Sequence, residues 1–233
     1  MASLRKSFPI VARDFVHAGE ASIHVQNILK SMHLEPALIR RIAICCYACR
    51  LSKAYIYIRG EYHHQAMVLE KAIKEAYDKG VFGSDGLLNG SSTATGEKWA
   101  VECHLHRGAG AYICGEETAL LESLEGKRGW PRNKPPFPAI KGLFGKPTII
   151  NNVETLAHLP SIVSNGSDWF RRQGTESKIG GPPSFGTKLM GVSGHVNKPG
   201  VYEFDLGIPL RVMVEKYCGG MPHGKKYKGA DRK

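Results

Sequence analysis

Two hydrophobic periods alternate along this chain, and each change of period marks an element. Ala54-Tyr55-Ile56-Tyr57-Ile58 is a short run of aromatic and β-branched residues, which predicts a mostly buried strand. Polar Arg59-Gly60-Glu61-Tyr62 follows at its carboxyl end. Residues 64–79 switch to a helical period: Ala66, Leu69, Ala72, Ile73, Ala76 and Tyr77 share one face. Glu70–Lys74 and Glu75–Lys79 stand four residues apart on the other face, and Gly80 supplies a stop. Ser84 to Glu97 is polar and predicts a loop; Trp99 to His106 reads as another strand. Strand, helix, strand is a βαβ unit, so the expected class is α/β, with a parallel sheet and helices on its faces. Upstream, Pro36 opens a helix to about Leu51, whereas residues 1–35 carry no period that assigns them to an element.

Downstream, Gly108 to Gly115 leads small residues and a short apolar stretch into a tight turn bearing Glu116 and Glu117. A helix over Thr118 to Glu125 ends at Gly126, and a basic, proline-rich connection runs to Thr148. Asn151-Asn152-Val153-Glu154-Thr155 then opens a helix to about Val163, asparagine being a strong N-cap. Gly174 to Gly186 has the composition of a linker. Lys188 to Val196 and Gly200 to Phe204 read as strands around a turn at Asn197-Lys198-Pro199-Gly200, with a helix over 209–217 closed by Gly219-Gly220. The expected organisation is an unassigned segment 1–35, an α/β domain 36–173, a linker 174–186 and a smaller domain 187–233.

Composition narrows the classes. A hydrophobic content of 42% supports a packed core. A net charge of +11 points to an anionic partner or to basic solvated loops. The basic run Lys225-Lys226-Tyr227-Lys228 is short and no nucleic-acid motif accompanies it, so nucleic acid is not the expected partner. No apolar run reaches eighteen residues, so direct membrane insertion is not expected. Cys45, Cys46, Cys49, Cys103, Cys114 and Cys218 lack the spacing of a disulfide framework, which predicts reduced thiols. Cys46 and Cys49 form a Cys-x-x-Cys beside Cys45. Without a second pair or a nearby His-x-x-x-His, these read as small core residues of the apolar stretch Ile42 to Leu51, and no metal site is expected.

Candidate chemistry gathers at three places. Glu116 and Glu117 at a glycine turn either stabilise the helix start or hold a polar ligand. Asn151, Asn152 and Thr155 offer amides and a hydroxyl at a helix start, suited to a phosphate or to plain capping. Phe137 stands between prolines in Lys134-Pro-Pro-Phe-Pro-Ala139, either as a ring held out for stacking or as a loop aromatic tucked into the core.

Six segments in order resemble the NADH-binding flavoprotein subunit of respiratory complex I (NADH:quinone oxidoreductase). They are Ala54 to Tyr62, Gly108 to Gly126, Lys134 to Ala139, Gly145-Lys-Pro-Thr148, Asn151 to Thr155, and Ser193-Gly-His-Val-Asn-Lys-Pro-Gly200. The resemblance implies a Rossmann-like domain for FMN and NADH, followed by a small ubiquitin-like (β-grasp) domain, both incomplete here. Gly115, Glu116 and Glu117 would border the flavin ring and nicotinamide. Tyr112 would line the pocket or sit in the core. Asn151, Asn152 and Thr155 would face the flavin phosphate, and Phe137 would stack on the adenine. Arg59 and Glu61 read as structural ion-pair or subunit-contact residues. No catalytic acid or base is implied, because the flavin carries the chemistry.

The family also implies a 4Fe–4S cluster, partner subunits of the complex I hydrophilic arm (above all the one carrying a 2Fe–2S cluster), and a peripheral position on the cytoplasmic face of a bacterial inner membrane or the matrix side of the mitochondrial one. The family's glycine-rich flavin loop has no counterpart in residues 1–50, and the cluster cysteines none before Lys233. The chain therefore reads as a central fragment. Two other functions stay open: a non-catalytic remnant acting in assembly, and the flavin subunit of an NAD-linked hydrogenase or formate dehydrogenase.

Overall fold

The computed structural model describes residues 9–13, 34–49, 51–84, 100–174 and 184–229. The expected loop at Ser84 to Glu97, the linker at Gly174 to Gly186 and the position of Trp99 fall largely outside the described residues. Those described form two compact units, one up to Pro160 and one from Ser161.

The first unit is built on a four-stranded, all-parallel sheet. Its strands are β1 (Pro9–Arg13), β2 (Lys53–Ile58), β3 (Glu102–Arg107) and β4 (Ile149–Asn152), in the order β3-β2-β1-β4. Helix α1 (Leu34–Cys49) precedes β2, α2 (His63–Asp78) connects β2 to β3, α3 (Glu117–Leu124) follows β3, and α4 (Val153–Ala157) follows β4. The βαβ unit read from the two hydrophobic periods is thus present. β1 was not legible: residues 1–35 lacked a period, yet Pro9–Arg13 pairs on both sides, with β2 and with β4. Five residues are too few for a period of two to stand out in the sequence.

Alternation along β2 divides the core. Ala54, Ile56 and Ile58 enter one cluster with Leu38, Ile39, Ile42, Ala43, Cys45 and Cys46 of α1 and the apolar face of α2. Tyr57 points into a second cluster with Cys114, Leu120, Leu121 and Leu143. Helices therefore cover the sheet on both faces. In α2, Ala66, Leu69, Ala72, Ile73 and Ala76 are buried as the pattern predicts. Tyr77 lies at the margin of that face, where its hydroxyl accepts the N–H of Cys103 at 2.9 Å. The i,i+4 ion pair that forms is Lys71–Glu75. Gly80, at φ 68°, turns the chain out of the helix. Cys45 and Cys46 are core residues as expected, but Cys49 is exposed.

The second unit contains α5 (Leu159–Asn165), which spans the division, α6 (Ser167–Arg171), the antiparallel pair β5 (Thr187–Val192) and β6 (Gly200–Asp205), and α7 (Leu210–Val212) continuing as one π-helical stretch, Met213–Tyr217. It takes in residues 161–173, ahead of the expected boundary. The Phe170 ring of α6 lies against Gly186, where a Cβ would meet it at 2.2 Å, and the Gly186 N–H reaches Gln173 O at 2.6 Å. α6 is thereby tied to the hairpin. Phe204 anchors this unit, with Tyr202 stacked on it and Tyr217 meeting it edge-on. Among the described residues no helix is long and apolar enough to cross a membrane.

Candidate functional site

The strand order places a reversal of direction between β1 and β4. The chain steps outward from β1 to β2 to β3, then returns to lay β4 on the far side of β1. In open parallel sheets, ligands bind beyond the carboxyl ends of the strands at such a reversal. Here the register sets His106, Tyr57, Arg13 and Asn152 in one transverse row close to that edge. Three strand spacings make this ledge about 14 Å long.

At the β4 end, Asn151 and Asn152 close the strand rather than open a helix alone, a correction to the sequence expectation. Asn152 serves both elements: it is the last residue of β4 and the N-cap of α4, its Oδ1 accepting the Glu154 N–H at 2.8 Å. Capping is therefore observed for Asn152. α4 has five residues, and the helix expected to reach Val163 breaks at His158 and continues as α5. So short a helix has a small macrodipole, and polar side chains must carry most of any anion binding here. Asn151 is half-buried and Thr155 is exposed on the helix surface.

At the β2 and β3 ends, backbone packs on backbone. A Cβ on Gly60 would meet Gly108 O at 2.3 Å, and one on Gly108 would meet the Tyr57 hydroxyl at 2.6 Å. Glycine is required at both for steric reasons. Gly110, at φ 86°, has nothing nearer to its Cβ position than Glu61 Oε1 at 4.0 Å, so the turn leaves open space there. Arg59 and Glu61 form the expected ion pair at 2.5 Å. Tyr112 opens a single 3-10 turn ending at Gly115, and at 65% exposure it is not a core tyrosine.

Glu116 caps α3. Its Oε2 accepts the N–H groups of Thr118 and Ala119, each at 2.8 Å, and the Thr118 hydroxyl at 2.5 Å. Partial burial pushes this carboxyl up, but those donors and Lys134 outweigh it and hold it below the ordinary range. Lys134 Nζ reaches Glu116 Oε1 at 3.3 Å and also donates to Glu117 Oε1. The pairing with Glu117, ahead of the opposing desolvation, raises the lysine's pKa. Lys134 thus ties the proline loop to the acidic turn. Phe137, in that loop, is 55% exposed and therefore not tucked into the core.

One arginine connects these parts. Arg132 donates from Nε to Glu122 at 2.5 Å, from one terminal nitrogen to Glu125 at 2.7 Å and from the other to Gly142 O at 2.9 Å. Its backbone N–H reaches the Thr118 hydroxyl at 2.8 Å. Glu125, its side chain 8% exposed, also accepts the Phe144 N–H and a bond from Lys127. Burial raises its carboxyl, and these donors overcome that and hold it low. Neither Arg132 nor Lys134 was singled out from sequence. The available signal was charge order: Glu116, Glu117, Glu122 and Glu125 on one side, Lys127, Arg132 and Lys134 following.

The expected site residues thus lie in two groups at one edge of one sheet. Tyr112, Gly115, Glu116 and Glu117, with the Phe137 loop, follow β3; Asn151, Asn152 and Thr155 follow or end β4. Among the described residues, no three His, Cys, Asp or Glu side chains gather to hold a metal ion.

Residues 20–161 match a family described as the Nuo51 FMN-binding domain, and residues 189–231 match the SLBB domain. The chain is 52% identical over 191 residues to an NADH-quinone oxidoreductase subunit of Rhizobium meliloti (strain 1021), covering 82% of this chain and 42% of that one. It is 49% identical over 187 residues to the mitochondrial NADH dehydrogenase (ubiquinone) flavoprotein 1 of Dictyostelium discoideum, covering 80% and 36%. The chain therefore spans well under half the length of these relatives. A solved structure of an NAD+-reducing NiFe hydrogenase in its H2-reduced state is similar at a TM-score of 0.70 and 34% identity, covering 92% of this chain and 33% of that one.

Proposed function

Because the chain belongs to the Nuo51 FMN-binding domain family, we propose that it is the part of an NADH:quinone oxidoreductase that binds FMN and NADH and takes in electrons. The observation that carries this reading is the double grouping of polar residues along one strand-end ledge, at the reversal of the sheet. Identity to quinone-linked relatives near 50%, against 34% to the hydrogenase, favours the quinone-linked assembly.

The residues present fit a flavin mononucleotide. The open space beside the Gly110 backbone leaves room for a flat ring. The amides of Asn151 and Asn152 and the Thr155 hydroxyl are suited to its phosphate. Glu117 is suited to accept from ribose hydroxyls or a carboxamide, and Phe137 to stack on the adenine. When bound, the flavin supplies the acceptance of two electrons from nicotinamide and their release one at a time. The chain's own residues bind, orient and fix the separation of the two partners, which is where a protein contributes to such chemistry. Residues 187–233 act in this reading as a β-grasp module that follows the flavin domain in sequence. The 2Fe–2S protein of the hydrophilic arm is the expected electron partner, with the assembly peripheral to an energy-converting membrane. The family's 4Fe–4S cluster has no candidate ligand set among the described residues.

Titration of the purified 233-residue chain into FMN tests the reading. Saturable quenching of flavin fluorescence is the expected result, followed by NADH-dependent bleaching of the bound flavin. Fluorescence that stays constant at millimolar protein, alone and with the 2Fe–2S partner, would overturn it.

A further inference from the structure

The connection from α3 to β4 carries Lys134 and Phe137, and Arg132 fastens it at two points ten residues apart. Its own backbone N–H binds Thr118 at the start, and its guanidinium binds Gly142 O at the far end. Between these points the guanidinium fork spans Glu122 of α3 and Glu125, the residue that caps its carboxyl end. The Thr118 hydroxyl that accepts the Arg132 N–H donates in turn to Glu116. One side chain and its own amide therefore connect the acidic turn, helix α3 and both ends of the loop.

We propose that Arg132 is a positioning residue for the dinucleotide, setting Lys134 and Phe137 against the Glu116–Glu117 turn. This rests on the reading of the ledge as an FMN and NADH site. The fork geometry is what the position demands, since a lysine offers a point charge and cannot satisfy two carboxylates and a carbonyl in one plane. A surface ion pair would be dispensable. This network is different because Glu125 is almost fully enclosed and receives three separate donors. The bonds that Arg132 makes all fall on α3 and its loop and none on Asn151 or Asn152. Disturbing it should loosen the nucleotide side of the ledge and spare the flavin phosphate side.

The test uses the 233-residue chain with Arg132→Lys, Arg132→Met and Glu125→Gln, each checked for a thermal midpoint above the assay temperature. Two affinities are measured: FMN by fluorescence quenching, and ADP-ribose on the FMN-loaded chain by calorimetry. ADP-ribose affinity should fall about tenfold or more in each variant, through loss of preorganisation. FMN affinity should stay within about twofold, as expected for an uncoupled site. The Arg132→Lys, Glu125→Gln double variant should be little worse than either single one, because both break the same link. Unchanged ADP-ribose affinity in a folded variant, equal loss of both ligands, or additive losses in the double variant would each overturn the proposal. A wild-type chain that binds neither ligand would instead defeat the functional reading beneath it.

Discussion

Glu116 enters any ligand site with its charge already engaged. Three donors from its own helix start and a fourth from Lys134 satisfy it. Glu117 meets the same lysine from the neighbouring position, so the two acids and Lys134 form one linked set that keeps a net negative charge. The exposed Phe137 ring makes a direct prediction. Phe137→Ala should weaken ADP-ribose binding on the order of 5- to 100-fold, the scale of a lost base–aromatic stack, and leave the thermal midpoint unchanged. Calorimetry that returned wild-type affinity would remove Phe137 from the site. The cysteines make another. Burial pushes the thiols of Cys45 and Cys103 up to about 12 and that of Cys46 higher still. Cys114 and Cys218 are enclosed, and Cys49 is exposed. Iodoacetamide at pH 7.5 should therefore modify Cys49 first in the native protein, which peptide mass spectrometry resolves. Rapid labelling of Cys45 or Cys46 would contradict the packing of α1. The core role of that pair was legible from the apolar residues around it; the exposure of Cys49 was not, because it depends on where α1 ends.

At the scale of elements, the strand ends meet through glycine. Gly60→Ala would drive a methyl group into Gly108 O and should destabilise the first unit by about 1–3 kcal/mol, as overpacking does. A thermal melt of the variant checks this, and an unshifted midpoint would show that the β2 and β3 turns can part. The sequence made β2, α2, β3 and α3 legible because each has a clean period or a glycine stop. It hid β4 for a definite reason. Ile149-Ile150-Asn151-Asn152 is too short to show alternation, and its last residue is also a helix cap, so the helix signal masked the strand. The acidic turn was legible as a ligand candidate from its glycines and carboxylates. The Arg132 network was not, since its partners lie 7, 10 and 14 residues away and meet only through folding.

At the scale of the molecule, acid should be the sensitive direction. Glu61 and Glu102 are held low by hydrogen bonds from Arg59 and Lys53, and Glu116 and Glu125 are held low by donors that overcome their burial. A carboxylate depressed on folding stabilises the native state fully above its unfolded value, about 4.3 for Glu. That contribution is lost as the pH falls through the lower folded values. Denaturant midpoints should therefore hold between pH 7 and about 5 and decline steeply below about 4. The Arg132→Met variant should show a shallower decline, because Glu125 would have lost a cationic partner. A flat profile down to pH 3 would mean that these pairs contribute nothing to folding. The basic balance of the chain acts in the same direction, since protonating acids at net charge +11 adds to self-repulsion.

Asn152 belongs to β4 and caps α4 at once, so strand and helix share a residue with no spacer between them. A joint of that kind has no slack: one inserted residue would rotate everything beyond it by about 100° around the helix axis. Thr155 would swing through that angle while the sheet stayed intact. Length at this point should be as strictly fixed as the side chains on either side of it, and tolerance for extra residues should begin only past His158.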